Sequence, residues 1–436
     1  MSTSLQRQKI EFPIGTNDAG KLKLRMLNWS QQFSILLYLD NNSYPSVHGK
    51  FECLLAADVK HGSSLEKAHD LASLQQLHDA CNDWLFGHIG YDYKNQLFPR
   101  LSSAHTATSA FAQLSFFIPQ TVCYIDRGQT TFTIESFIDP YVIYRQILDS
   151  SSDRSSVLPE LTFKSLFDKE DYLAAIGALR DHIREGDCYE INFCNKGYCE
   201  NVDIEPLHVF NALNQLSPAP FAAYYRNNGD FMACASPERY LRKVGQQILS
   251  QPIKGTAKRS KDPITDTEIK EALRNDIKER SENVMIVDLV RNDLAQSCEV
   301  GSIAVDELFG IYTYPQVHQM ISTVSGMMKS GMPFTDAIKY SFPMGSMTGA
   351  PKYKVMQLIE HYERAQRELF SGSVGYITPA GDFDFNVIIR SLFYNIHTRY
   401  LSYQTGGAIT YDSKPEQEWD EMRLKAWALE RIFTNK

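Results

Sequence analysis

The feature that most restricts how this chain can fold is a succession of short apolar runs, each about the length of a strand and each closed by turn-forming residues. In the first third they occupy residues 33–39, 50–57, 83–93 and 131–138, and they read as strands, while residues 64–82 carry helical spacing. Residues 149–156, Asp-Ser-Ser-Ser-Asp-Arg-Ser-Ser, are too polar and small to pack and read as a surface linker between two halves. Beyond it Tyr172, Leu173, Ile176, Leu179 and Ile183 recur at helical intervals, with Gly186 as a stop. Residues 189–193 then alternate like a strand, and residues 266–298 form a second helical stretch. Segments 373–378 and 383–394 flank Pro379-Ala-Gly-Asp382 as a hairpin, and a last helix spans 415–433 with Pro415 in its first turn. Strands and helices interleave without a regular βαβ repeat, which predicts an α+β chain built on mixed sheets.

A length of 436 residues fits one intimately packed body or two domains. With 43% hydrophobic and 22% charged residues, the balance is that of an ordinary folded protein. The formal charge of −8 argues against a nucleic-acid surface, because phosphate binding leaves a basic excess. Residues 1–20 lack a secretory pattern and no run of about 18 apolar residues occurs, so a cytoplasmic protein without membrane partners is expected. The eight cysteines show no Cys-x-x-Cys pair and no partnered histidine spacing, which favours buried reduced thiols over zinc or disulfides.

Two acidic helix faces stand out. At about 100° per residue, Met285, Ile286 and Leu289 fall within about 60° of Glu282, so this carboxylate points where apolar side chains point. Such a group is costly unless paired, protonated or metal-bound. In the last helix Glu418, Glu421 and Lys425 share one face beside Trp419, Met422, Leu429 and Phe433. Acids from two helices suit one hard cation such as magnesium. A solvated ion network on the last helix is the alternative, and Glu282 weighs against it.

The segment Gln251-Pro-Ile-Lys-Gly-Thr256 holds Lys254 between a stiffened approach and a glycine that permits close contact. A neutral amine at pH 7 would cost roughly 4 to 5 kcal/mol relative to a free lysine of pKa about 10.4, so burial or nearby cations would have to lower it. Taken alone, the lysine also reads as a surface residue. In Ser236-Pro-Glu238 the acid sits where a strand ends, which suits proton transfer or an ordinary turn. The glycines of residues 342–352 and of Thr405-Gly-Gly407, after a strand, suit anion contact or local caps. Arg390, read on the alternating strand 383–392, suits a carboxylate clamp or a structural ion pair.

Taken together, these segments resemble the chorismate-utilising enzymes. The matching stretches include Gly186-Asp-Cys-Tyr-Glu-Ile-Asn192, Ser236-Pro-Glu-Arg239, Pro252-Ile-Lys-Gly-Thr256, Glu282-Asn-Val-Met-Ile-Val-Asp-Leu-Val-Arg-Asn-Asp293, Gly345-Ser-Met-Thr-Gly-Ala-Pro-Lys352, Gly372-Ser-Val-Gly-Tyr376, Ile389-Arg390, Gly406-Gly-Ala408 and Glu418-Trp-Asp-Glu421 with Lys425. They run through most of residues 165–433, while the likeness before the linker is faint. The resemblance implies an anthranilate synthase component I-like fold of largely antiparallel sheets packed together with helices outside. Residues 1–160 would complete the sheet core, and residues 161–436 would bind chorismate.

It also implies roles. Glu282, Glu418 and Glu421 would hold Mg2+, and Thr256, Ser346, Tyr376, Arg390, Gly406, Gly407 and Lys425 would bind the substrate. Lys254 stands where anthranilate synthases resemble this chain but carry alanine and aminodeoxychorismate synthases carry lysine. By that likeness its uncharged amine adds to chorismate, with Glu238 as acid and base, and ammonia displaces it to give 4-amino-4-deoxychorismate for 4-aminobenzoate and folate synthesis. Glu190 stands where many relatives have glutamine, and His318 and Gln319 receive no catalytic role. With no Gly-x-Cys-x-Gly elbow in the sequence, ammonia is expected from a glutamine amidotransferase partner. Anthranilate synthase component I and a non-catalytic chorismate-binding subunit are the alternatives.

Overall fold

Strands buried on both faces explain the unbroken apolar runs. In Ile35–Asp40, Leu36 and Tyr38 join one apolar cluster while Ile35 and Leu37 join another, so successive side chains both meet core. The computed structural model describes residues 6–15, 18–45, 48–61, 69–154, 157–314 and 317–434. Among these residues the strands form one sheet of 12 strands, with Lys164–Ser165 paired onto Glu190–Cys199 off its main path, and another of nine, with Ala304–Thr313 paired onto Val317–Met327 off its main path.

The larger sheet runs, in spatial order, through Gln8–Pro13, Thr131–Ser136, Pro119–Asp126, Phe51–Val59, Ile35–Asp40, Phe221–Asn227, Asp230–Ser236, Ser391–Asn395, Tyr400–Ile409, Glu190–Cys199 and Gly349–Ala350. The smaller runs through Ile253–Lys258, Val317–Met327, Gln247–Gln251, Arg239–Val244, Phe383–Asn386, Ser373–Ile377, Leu85–Ile89 and Leu114–Phe117. Neighbours in both are antiparallel, as in the pairing of Tyr403 with Gly197 and of Gly375 with Phe385. The α+β expectation is met.

Four layers result. Leu37, Ala56, Phe86, Val122, Met232 and Val374 fill the space between the sheets. Helices Ala19–Ser30, Pro140–Asp149, Pro206–Leu216 and Pro415–Arg431 cover the outer face of the larger sheet, and Leu71–Cys81, Ile277–Ala295 and Phe334–Ser341 cover that of the smaller. Strands from before and after residues 149–156 share both sheets. That polar segment is tied down at Ser151 and Asp153, whose carbonyls accept from Asn28 Nδ2.

Several expected elements differ in detail. The helical stretch 266–298 is two helices, Pro263–Asn275 and Ile277–Ala295, because Asp276 leaves the helix and caps the second through Glu279 N at 2.9 Å. The strand expected over 383–394 is interrupted. Phe383–Asn386 belongs to the smaller sheet, Ser391–Asn395 to the larger, and residues 387–390 cross between them. Of the helical spacing over 64–82, residues 71–81 form a helix and 64–68 lie outside the described residues, as do 155 and 156 of the linker.

Candidate active site

Two crossings between the sheets lie side by side and build the site. Ser236 ends a strand of the larger sheet and Arg239 begins one of the smaller, leaving Pro237-Glu238 as the bridge. Residues 387–390 make the opposite passage, and Val387 N donates to Glu238 O at 3.0 Å, locking the two together. Glu238 is thereby buried, and its Oε1 accepts from Ser346 Oγ at 2.6 Å. Burial pushes its pKa up to about 7, against the opposing pull of the Ser346 hydrogen bond and the Lys254 charge.

Arg390 closes the second crossing in the left-handed region, at φ 51, so it is not on an alternating strand as expected. Its guanidinium has no hydrogen-bond or ion-pair partner among the described residues, and burial lowers its pKa while Tyr314 and Glu238 counter that. An unmatched arginine beside the catalytic-type acid fits an anionic ligand better than a structural ion pair.

Lys254 lies on the strand Ile253–Lys258, where a register shift against Val317–Met327 and Gly255 at φ +97 form an irregularity. The side chain is 9% exposed and its Nζ donates to Glu190 Oε1 at 2.5 Å. Burial alone would lower the lysine pKa, but Glu190, Glu282 and Glu421 outweigh it and the pKa is raised. The expectation of an uncharged amine at rest is therefore corrected. The charged groups that act most strongly on the amine are carboxylates rather than nearby cations such as Lys258, Arg259 and Lys261.

Two helices aim their N-terminal ends toward this lysine, each with an acid pair spaced by three residues. Glu279 stands in the first turn of Ile277–Ala295 with Glu282 after it, and Glu418 in the first turn of Pro415–Arg431 with Glu421 after it. The positive end of each helix dipole offsets part of the repulsion among these acids. Lys278 Nζ lies 3.7 Å from Glu282 and 4.0 Å from Glu418. Glu282 Oε1 is buried without a hydrogen bond, Lys278 being its ion-pair partner at 3.7 Å, and burial raises the pKa of Glu282 to about 7, the Lys254 charge opposing. Glu418 accepts from Ser413 Oγ at 2.7 Å, and Glu421, which is more open, pairs with Lys425 at 2.8 Å. Lys425 also donates to the Gly406 carbonyl at 2.8 Å.

Gly406 and Gly407 lie inside the strand Tyr400–Ile409 rather than after it. A Cβ on Gly407 would sit 3.2 Å from Glu418 Oε2 and 3.8 Å from Glu421 Oε1, so the missing side chain makes room beside the acids. A buried oxygen without a hydrogen bond, four carboxylates and an open glycine make a donor set that a hard divalent cation fits. These acids are not drawn to one point, however. Among the described residues the only three ligand atoms within 4.8 Å of one another belong to His182, Glu185 and Asp187, where Lys354 already neutralises Asp187.

The fold thus brings together Lys254, Glu238, Ser346, Arg390, Glu282, Glu418, Glu421, Gly406, Gly407 and Lys425. Thr256, exposed, lies two residues beyond Lys254 and opposite Gln319. Tyr376 is a correction. Its ring packs against Phe51, Trp84 and Phe86 and lines a separate pocket of about 540 Å3 with Asp40, Glu52, Phe221 and Arg239. The reason is its place on Ser373–Ile377, deep in the smaller sheet and facing the layer between the sheets. Sequence reasoning missed Glu279, whose spacing from Glu282 repeats that of Glu418 from Glu421 and was a readable signal. It also left Glu190 without a partner, because the strand that carries it meets the lysine only through tertiary packing.

A two-sheet body that gathers a buried lysine, a buried acid and paired helix carboxylates suits an enzyme acting on a small molecule, and the sequence pattern of one family agrees. The chain belongs to the chorismate binding enzyme family, whose pattern matches residues 37–431. It is 36% identical over 285 residues to the chloroplastic aminodeoxychorismate synthase of Arabidopsis thaliana, covering 65% of this chain and 30% of that protein. It is 30% identical over 336 residues to aminodeoxychorismate synthase component 1 of Salmonella typhimurium, covering 77% and 73% of the two chains. The chain spans about a third of the length of the plant and Streptomyces relatives it matches. In fold it is similar to anthranilate synthase component I from Streptococcus pneumoniae, with TM-score 0.75 and 20% identity over 90% of this chain and 94% of that one. It is also similar to the menaquinone-specific isochorismate synthase MenF from Escherichia coli, with TM-score 0.77 and 17% identity over 98% and 95%.

Proposed function

We propose that the chain converts chorismate and ammonia to 4-amino-4-deoxychorismate, as an aminodeoxychorismate synthase component 1, through a covalent bond to Lys254. The observation that carries this reading is the buried Lys254 amine, 2.5 Å from Glu190 and within the field of Glu238, Glu282 and Glu421. Arg390, unmatched in the fold, takes a substrate carboxylate, and Lys425 and the Gly406 and Gly407 backbone border the other end. Ser346 keeps Glu238 turned inward, where a pKa of about 7 lets it hold a proton for the departing C4 hydroxyl and later take one back. The Lys254 amine adds at C2 as that hydroxyl leaves, and ammonia then adds at C4 and expels the lysine, the enolpyruvyl group being retained.

Glu282 and Glu421, with Glu418 and Glu279 beside them, would hold Mg2+, whose charge would anchor a chorismate carboxylate. Ammonia would come from a glutamine amidotransferase subunit, and the product would feed 4-aminobenzoate and folate synthesis. The eight cysteines are free thiols, which suits a cytoplasmic setting, and no helix among the described residues is long and apolar enough to cross a membrane.

Incubation with chorismate, magnesium and ammonium, followed by identification of the product, tests the reading. The expected product is 4-amino-4-deoxychorismate. Direct formation of 2-aminobenzoate, or no turnover, would overturn it.

A further inference from the structure

We propose that Glu190 is the group that takes the proton from Lys254 and so frees the amine to attack. The inference rests on the functional reading above and adds a residue to it. Glu190 is 1% exposed, its Oε1 meets Nζ at 2.5 Å, and its Oε2 is buried with no partner. A carboxylate with one oxygen on the amine and the other unengaged has the capacity to accept that proton without leaving the pair.

Its placement is stiff. Glu190 begins the strand Glu190–Cys199, and the short strand Gly349–Ala350 is clamped against it. Tyr189 N donates to Ala350 O at 2.7 Å and Asn192 N to Thr348 O at 2.8 Å. A Cβ on Gly349 would lie 2.0 Å from the Glu190 carbonyl oxygen, so only glycine allows this approach. The clamping segment also carries Ser346, which fixes Glu238. One loop therefore sets both acids, one on the amine and one held off it by a hydroxyl.

The charged groups facing Lys254 divide accordingly. Glu282 from the Ile277–Ala295 helix and Glu421 from the last helix act on it through space, and Glu238 is occupied by Ser346. Glu190 alone among the described residues hydrogen-bonds the ammonium. In the step, an Nζ–H proton moves to Glu190 Oε1 and the freed electron pair forms the bond to C2. Both ring double bonds shift in turn, the C4–O bond breaks, and its electron pair leaves on oxygen, which takes a proton from Glu238 and departs as water.

The test compares the wild-type chain with Glu190→Gln and Glu190→Asp, using chorismate, magnesium and ammonium from pH 6 to 10 and following product formation and chorismate binding. Glutamine keeps the shape and still accepts from Nζ but cannot take the proton. For Glu190→Gln a fall of about 30-fold or more in kcat at pH 7 is expected, with KM within about threefold, and a rate relative to wild type, at equal free ammonia, that climbs about tenfold per pH unit as solvent removes the proton. Glu238, with its pKa of about 7, bends the wild-type and variant profiles alike and cancels in that ratio, and Glu190→Asp recovers part of the loss. A Glu190→Gln rate within threefold of wild type, or one that stays low at every pH while chorismate binds, overturns the assignment. Should that variant not fold, an aspartate variant with the pH dependence of wild type supports it and one with a climbing profile does not. Wild type that makes no amino product fails the functional reading itself, and that outcome is separable because it needs no variant.

Discussion

Ser346 Oγ donates to Glu238 Oε1 at 2.6 Å across the seam where the chain changes sheets. The hydroxyl satisfies a carboxyl group that burial has otherwise stripped of water, and it opposes the rise of that group's pKa to about 7. The acid is protonated in the folded state while its unfolded counterpart, near 4.5, is not. Stability is therefore lost as pH rises from about 4.5 to 7 and is level above that.

Glu238→Gln should remove this loss. The amide still accepts from Ser346, so at pH 8 the variant should be more stable than wild type by about 3 kcal/mol, the worth of moving the carboxyl pKa from near 4.5 to about 7. Urea denaturation at pH 5 and 8 checks it, with the gain shrinking toward pH 5. Turnover should be lost at both.

Lys254→Ala should abolish product and leave Glu190 as a buried charge without its partner. A stability loss of about 3 to 5 kcal/mol is expected. Adding Glu190→Gln to the same chain should return most of it. Intact-mass spectra with chorismate and no ammonia should show an adduct on wild type alone, and an adduct persisting in Lys254→Ala would remove the lysine from the chemistry.

Arg390→Ala should weaken chorismate binding by about 10- to 100-fold, the worth of a charged hydrogen-bonded contact of roughly 1.5 to 3 kcal/mol. Stability should change little, because the guanidinium has no partner in the fold to leave behind. Titration calorimetry beside urea melts separates the two effects.

Chelation should stop turnover and magnesium restore it. Gly407→Ala, which sets a methyl about 3.2 Å from Glu418 Oε2, should raise the magnesium concentration needed for half-maximal rate. An unchanged magnesium requirement would show that the acids do not converge there.

Tyr376→Phe should leave kcat and KM for chorismate within about twofold of wild type. Its ring lies among Phe51, Trp84 and Phe86. A tenfold loss would mean that the separate pocket communicates with the site.

How much of this was readable from the sequence follows the range of the interactions involved. Helical periodicity put Glu282 on an inward face and grouped Glu418, Glu421 and Lys425, because those relations span one or two turns. Short apolar runs gave strands such as Ile35–Asp40 and Phe51–Val59 for the same reason. The pairing of Glu190 with Lys254 joins residues 64 positions apart, and nothing local in either segment encodes it. Charge state followed: without Glu190 in view, burial alone argued for a neutral lysine. Arg390 was misread because Phe383–Asn386 and Ser391–Asn395 look like one strand until the change of sheet is seen. Tyr376 was assigned by motif, and which way a strand turns its side chains depends on the register with its neighbours.

The spatial order of the larger sheet has a consequence for biogenesis. Strands Ser391–Asn395 and Tyr400–Ile409 lie between Asp230–Ser236 and Glu190–Cys199, so synthesis must reach Ile409 before the middle of that sheet can be filled. Until then the nascent chain presents two open apolar edges, which makes chaperone capture during translation an expected part of how this protein reaches its working form.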